Sequence, residues 1–489
     1  MRKCIAYLLI FSIFLLAACP ALAGERIWLG KEMVSGYYTF VMQEDGTAMI
    51  TRYDGEESTL TVPDTLDGVS VTAIAGSAFQ SNDALMELVI PEGIVSVGDY
   101  AFQRCSNLTE VTLPASLNEV GMNPFAGCQA LLGIGVAEGN TSLKISTEGV
   151  LFSISDRRLV YYPMLRESGP YTIPKGTRVI GASAFYQCEN ITELIIQKRE
   201  EDDPKGIGLS AIGRRAFYQC ENLQAINLED AEISTIGADA FCGCRKLKKL
   251  TFPERITSID ERAFQDCTNL QELILPEAIT SIGEMAFRNC ASLEFVELPE
   301  GVTSIGKNTF ADCKDLRELI LPEGLSYIGG GAFQNCENLQ KLELPESLDY
   351  IGSEAFDGCA GLEEISIPDT CSFIGAYAFA RCKALKSMVM PSYVYTINPF
   401  TFSGCISLTE IELPEELEEI GEKAFFCCYS LKEIVIPDPV EEIGDYAFSN
   451  CLALEHVELP EDLETVGPHT FEACDNLKDL PDLSDLIEE

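Results

Sequence analysis

The sequence predicts a leucine-rich-repeat solenoid, a right-handed α/β superhelix of parallel β-strands and short helical turns with about 16 repeats. Three observations predict it. Prolines stand 23 residues apart from Pro253, Pro276 and Pro299 through to Pro460, without a slip. Cysteines keep the same interval from Cys244 to Cys474, and leucine or isoleucine recurs at fixed offsets between them. Such a unit buries its apolar face only against its neighbours, so the units must stack.

Each position of the unit has a physical role. In Leu293-x-x-Val296-x-Leu298-Pro299 the apolar residues alternate at the end, as in a strand, and proline stops the strand because it has no N–H for a ladder. Val302-x-x-Ile305-Gly306 adds two inward residues and a glycine, expected to turn the chain with positive φ. After Ile397 the glycine is replaced by Asn398, a residue that enters the left-handed region readily, which fits the same turn. Thr309-Phe310-x-x-Cys313-x-x-Leu316 spaces apolar groups by three, as one short helical turn would. Stacked units then pair strands in parallel, about 4.8 Å apart.

The pattern Leu-Pro-x-x-(Val/Leu/Ile)-x-x-Ile-Gly-x-x-Ala-Phe-x-x-Cys-x-x-Leu-x-x-(Val/Ile)-x-Leu resembles the repeat of the BspA-type leucine-rich-repeat surface proteins of bacteria and some mucosal protists. The resemblance runs from about Val62 to Leu480. It implies a binding protein, because characterised members of that family are adhesins for host or bacterial surface proteins. The pattern itself consists of buried positions and names no ligand.

Residues 1–23 read as a secretory signal peptide. Arg2 and Lys3 form its basic end, Ile5 to Ala18 its apolar run, and Ala21-Leu22-Ala23 a small-x-small cleavage site before Gly24. The alternative is a lipoprotein signal, since Leu16-Ala17-Ala18-Cys19 matches a lipobox and would give a lipid anchor at Cys19; Pro20 directly after the cysteine argues against it. Either way the mature protein is expected outside the cytoplasm, secreted or at the cell surface. The apolar run is too short for a comfortable span, and no transmembrane helix is expected in the mature chain.

Residues 24–63 lack the period. Tyr37 to Val41, Glu44-Asp45-Gly46 and Ala48 to Thr51 read as a hairpin, an N-terminal β cap over the open edge of the first repeat. The solenoid is placed at 64–480. In its first unit Asn82 replaces the cysteine, as befits a terminal repeat. Counted by phenylalanine, from Phe79 to Phe471, there are sixteen units, and three intervals depart from 23. Phe125 to Phe185 is 60, with an irregular hairpin insertion at about 133–172 built on Gly149 to Ser153 and Leu159 to Pro163. Phe185 to Phe217 is 32, the excess lying in a charged loop at about 197–206. Phe217 to Phe241 is 24, a one-residue bulge near Glu229-Asp230. Residues 481–489 form an acidic C-terminal tail.

Acidic residues outnumber basic ones 77 to 34, so phosphate backbones are repelled and a nucleic-acid partner is excluded. Glu254, Glu277, Glu300, Glu323, Glu346, Asp369, Glu415, Asp438 and Glu461 each follow a strand-ending proline. They form either a weak cation or basic-protein docking ridge or a solvated edge that keeps the protein soluble.

Of twenty cysteines, fifteen sit three residues after a phenylalanine, at a core position. Neighbouring Cβ vectors would run parallel there, so buried free thiols are expected rather than disulfides. Cys371 aligns with Leu325 and is expected to be buried, whereas Cys242 and Cys427 are expected to face outward.

Chemistry finds little support. The two histidines, His456 and His469, lie in the last two units, and no zinc-ribbon, phosphate-loop or nucleophile-elbow motif is present. No enzyme activity, cofactor or metal is expected. The outward face of the parallel strands is the candidate ligand surface. It carries Glu272 and Ile274, Phe295 and Glu297, Glu318 and Ile320, Lys341 and Glu343, Glu364 and Ser366, Ser387 and Val389, Glu410 and Glu412, Glu433 and Val435, and His456 and Glu458. Acid mixed with exposed aliphatic groups suits a protein ligand, while a sugar would want stacking aromatics, of which this face offers only Phe295. The expected protein is a monomer that binds proteins, as an adhesin for host, matrix or neighbouring-cell proteins or as an envelope scaffold for partners of its own cell.

Overall fold

The computed structural model describes residues 30–198, 208–478, 480, 481, 483 and 485–487. The leader with its two cleavage alternatives, Trp28, and all but the first residues of the charged loop lie outside the described residues.

The chain winds as a parallel β-solenoid with two strands per turn. In one representative turn, Phe295–Glu297 is a long strand with Val296 buried between two exposed residues. Leu298 follows inward, and the carbonyl of Pro299 accepts the N–H of Val302 at 2.9 Å, closing the corner. The short strand Ser304–Ile305 then sends Ile305 into the core. From Lys249 onward long strands pair in parallel with long strands, two by two, and short with short, each residue opposite the one 23 further on.

The helical turn expected after each phenylalanine is absent; the sole helical element among the described residues is the 3₁₀ turn Leu228–Asp230, at the expected bulge. The hydrogen bonds explain the difference. The N–H groups of Asn308, Phe310 and Asp312 donate to the carbonyls of Gly330, Ala332 and Gln334 in the next turn, at 3.0, 2.9 and 2.7 Å. Asn308 and Asp312 adopt φ of 53° and 62° to aim those donors sideways. The segment is thus a third ladder between turns. Each left-handed non-glycine residue costs about 1 kcal/mol or more, offset by the bond it makes.

The glycine after the short strand also has a different role from the one expected. Gly283, Gly306, Gly352 and their equivalents do not take positive φ. A Cβ on Gly352 would lie 2.6 Å from the nitrogen of Gly330, so the glycine permits close approach of stacked turns. Asn398 does not adopt the left-handed region either. Its side-chain amide donates to the carbonyl of Ile374 at 2.7 Å, at a point where the short-strand ladder is interrupted.

The core is a stack of identical layers. Phenylalanine rings from Phe241 to Phe471 lie nearly parallel, with neighbouring centroids 5.1 to 5.8 Å apart. Beside them the cysteines repeat one contact. Cys313 Sγ donates to the carbonyl of Phe287 in the preceding turn at 3.3 Å, and the equivalent bond recurs from Cys105 to Cys474. The described cysteines are free thiols, all buried except Cys427, which is half-buried. Cys371 is buried as expected, whereas Cys242 is buried rather than outward. The position after phenylalanine packs between adjacent turns, which also buries Ala311, Ala380 and Ser449.

Two antiparallel hairpins organise the stack. The expected cap hairpin forms from Tyr38–Met42 and Ala48–Tyr53, and its second strand pairs in parallel with Val69–Ile74 of the first turn. In the insertion, Leu151–Ser153 and Arg158–Tyr161 form a second hairpin whose outgoing strand pairs in parallel with Val179–Ile180. This hairpin is integrated into the stack rather than projecting from it. Leu151, Val160 and Tyr161 face the core of the first block, and Phe152, Leu159 and Tyr162 that of the second. Counted by short-strand rungs the described residues form eighteen turns, because Tyr53 and Tyr162 head two turns that a count of phenylalanines omits. At the far end the acidic tail folds back. Ile487 bridges Val466, the N–H of Val466 donates to Leu486 at 2.9 Å, and Leu483 and Leu486 cover the last core layer.

Candidate binding faces

A three-residue strand with one buried centre must expose both flanks, and parallel stacking turns those flanks into two files. The structure brings every residue of the expected face into these files. The first reads Glu272, Phe295, Glu318, Lys341, Glu364, Ser387, Glu410, Glu433 and His456; the second Ile274, Glu297, Ile320, Glu343, Ser366, Val389, Glu412, Val435 and Glu458. Ile274, Val389 and Val435 are 58, 62 and 58 % exposed. Aliphatic and acidic side chains come close to alternating along the second file.

Few cations neutralise this face. Lys249 meets Glu272 at 2.6 Å across adjacent strands, and Lys341 meets Glu343 at 2.8 Å within one. The hydrogen bond and charge of Lys341 hold the Glu343 carboxyl below the usual range. Beside the face, Lys386 pairs with Glu363 at 2.6 Å. The nine post-proline acids from Glu254 to Glu461 all stand exposed along the neighbouring corner.

Among the described residues, no three or more His, Cys, Asp or Glu side chains converge as metal ligands, and no helix is long and apolar enough to cross a membrane. His469 stacks on Tyr446 with centroids 4.7 Å apart and lies 3.5 Å from Asp445. His456 is exposed on the long-strand face.

One surface escaped the reading of the sequence. Tyr327, Tyr350 and Phe373 open three successive short strands and stack into a column with centroids 4.7 Å apart. Their 23-residue spacing is the signal that could have found them.

Stacked parallel long and short strands, a corner after each long strand and columns of buried phenylalanine and leucine define a leucine-rich-repeat solenoid. The sequence profile described as BspA type Leucine rich repeat region matches residues 65–147, 169–294, 280–399 and 372–487, and the chain belongs to that family. No curated protein matches the chain. Among solved structures, a leucine-rich repeat protein from Bacteroides ovatus is 24% identical, with 91% of this chain and 93% of that chain covered and a TM-score of 0.40. A leucine rich cell surface protein from Faecalibacterium prausnitzii is 24% identical over 88% of this chain and 94% of its own, with a TM-score of 0.39. A leucine-rich repeat protein from Eubacterium ventriosum is 18% identical over 72% and 95%, with a TM-score of 0.34.

Proposed function

We propose that this is an exported, non-enzymatic binding protein whose long-strand face engages a protein ligand at a host, matrix or neighbouring-cell surface. The observation that carries the reading is the pair of exposed files from Glu272 to Glu458, the second of which sets aliphatic groups between carboxylates on stacked parallel strands. Apolar contact supplies affinity and the carboxylates supply register and orientation. The leader supports export, and the family supports protein binding.

The test is capture by residues 24–489 from host-surface and matrix proteins and from the organism's own envelope extract, at low and high salt. Capture of a host or matrix protein that is lost in the variant Ile320→Glu/Val389→Glu supports adhesion through this face. Capture from the envelope extract alone would make the protein a scaffold for its own cell, and capture unaffected by the variant would move the site elsewhere.

A further inference from the structure

The short strands carry a second exposed surface, away from the files just described. Its first half is the column of Tyr327, Tyr350 and Phe373, with successive ring planes within 12° and 8° of parallel. Tyr327 and Phe373 are 41 and 38 % exposed, and one turn beyond, at the position just before the column's, Tyr395 is 47 % exposed. Because the rings stack face to face, they offer solvent mainly their edges. A sugar ring needs a free aromatic face, so the column suits it poorly, while aliphatic chains pack well on ring edges.

The second half of the strip is acidic. In the three turns after Tyr395 the same and preceding positions hold Glu418 and Glu419, then Glu441 and Glu442, then Glu464. Among the described residues none of the five meets a cationic side chain, and two of them, Glu419 and Glu442, stand opposite each other in one ladder. Burial and the charge of Glu442 push the Glu419 carboxyl up, the response of an anion without a counter-charge. The surrounding chain cannot supply one readily: beyond residue 262 it holds 11 basic residues against 44 acidic ones.

We propose that this short-strand strip, from Tyr327 to Glu464, is a docking surface for a lysine- or arginine-rich segment of a partner protein. Those side chains combine an aliphatic stem with a cationic head. The stems lie over the ring edges of Tyr327, Tyr350 and Phe373, and the heads of the following residues reach Glu418, Glu419, Glu441 and Glu442. The strip is independent of the long-strand face, so either surface can fail without the other.

A fluorescent lysine octamer titrated into the mature chain, read by anisotropy at low ionic strength, tests the assignment. Three variants are compared: Y327S/Y350S/F373S, which leaves the charge unchanged; E419Q/E442Q; and E318Q/E364Q, which removes the same charge from the long-strand face. The expected result is that each of the first two weakens binding at least about threefold while the third changes it less than twofold. Equal weakening by the two glutamine variants would mean attraction to overall charge and would overturn the proposal. So would undiminished binding by the aromatic variant. The glutamine variants alter exposed or half-exposed side chains and keep the comparison decisive if the aromatic variant misfolds.

Discussion

Tyr162 stands on Phe185 with ring centroids 4.6 Å apart, and its N–H donates to the carbonyl of Ala184 at 2.9 Å. Tyr53 stands on Phe79 in the same way, at 4.9 Å, with its N–H on Ala78, also at 2.9 Å. Each tyrosine ends or follows the second strand of an antiparallel hairpin and heads a column of phenylalanines. The internal hairpin is therefore a second starting cap, and the buried residues on its two sides belong to separate cores.

Tyr162→Ala removes the ring that closes the second core, at a cost of about 3 kcal/mol. Since repeat stacks hold together through nearest neighbours, the loss should be felt locally. Hydrogen exchange read by mass spectrometry is expected to quicken around Tyr171, Phe185 and Phe217 while leaving Phe79 to Phe102 unchanged. Equal quickening across both regions would show that the hairpin does not divide the stack.

Gly352→Ala is expected to destabilise the protein by about 2 kcal/mol, because its Cβ would press on the backbone of Gly330. At Gly324 a Cβ meets nothing within 4 Å, so Gly324→Ala should change stability by less than about 0.5 kcal/mol. Urea unfolding of the two variants separates close approach from conformational freedom as the role of the repeat glycine. Equal losses would argue against the packing explanation.

Burial pushes the thiols of Cys313, Cys359 and Cys405 up to about 12, from an ordinary value of 9.0. The unfolded chain therefore ionises first as pH rises. The stabilising contribution is complete below pH 9 and is lost between about 9 and 12, so alkaline unfolding should be steep in that window. At pH 8 a thiol reagent is expected to modify Cys427 in the native protein, and the other described cysteines only after denaturation. Few reactive thiols in the denatured protein would mean that bridges form.

Leu486→Asp places a charge against the last core layer and breaks the cover made by the tail. A loss of about 1 to 2 kcal/mol is expected, with faster exchange at Val466. No change in either would show that the tail is dispensable as a cap.

The stacked core was legible in the sequence because burial constrains residue type: Ile305, Phe310 and Cys313 recur wherever the interior repeats them. The first left-handed corner of each unit was not legible. Its position holds Asn308, Glu354, Tyr377 and Lys423, side chains with no common chemistry, because what recurs there is a backbone bond to the next turn. The helix reading failed for the same reason, since apolar spacing by three at Phe310, Cys313 and Leu316 does not tell which carbonyl each N–H will find. Of the surfaces, the long-strand files were readable by alternation about Val296 and its equivalents. The aromatic strip was missed because the short strand has a single inward residue and offers no alternation to read.

In-register stacking gives the molecule a graduated length. Each 23-residue unit between Tyr162 and the folded-back tail adds one rung of about 4.8 Å and no new kind of contact. Removing one whole unit, such as residues 299–321, would shorten the rod by a rung and rejoin both files and all three ladders, whereas removing 22 residues would slide every later side chain off its column. The distance between the two ends can thus change in fixed steps while both caps and both surfaces keep their alignment, as a ruler can be cut at any mark and still measure.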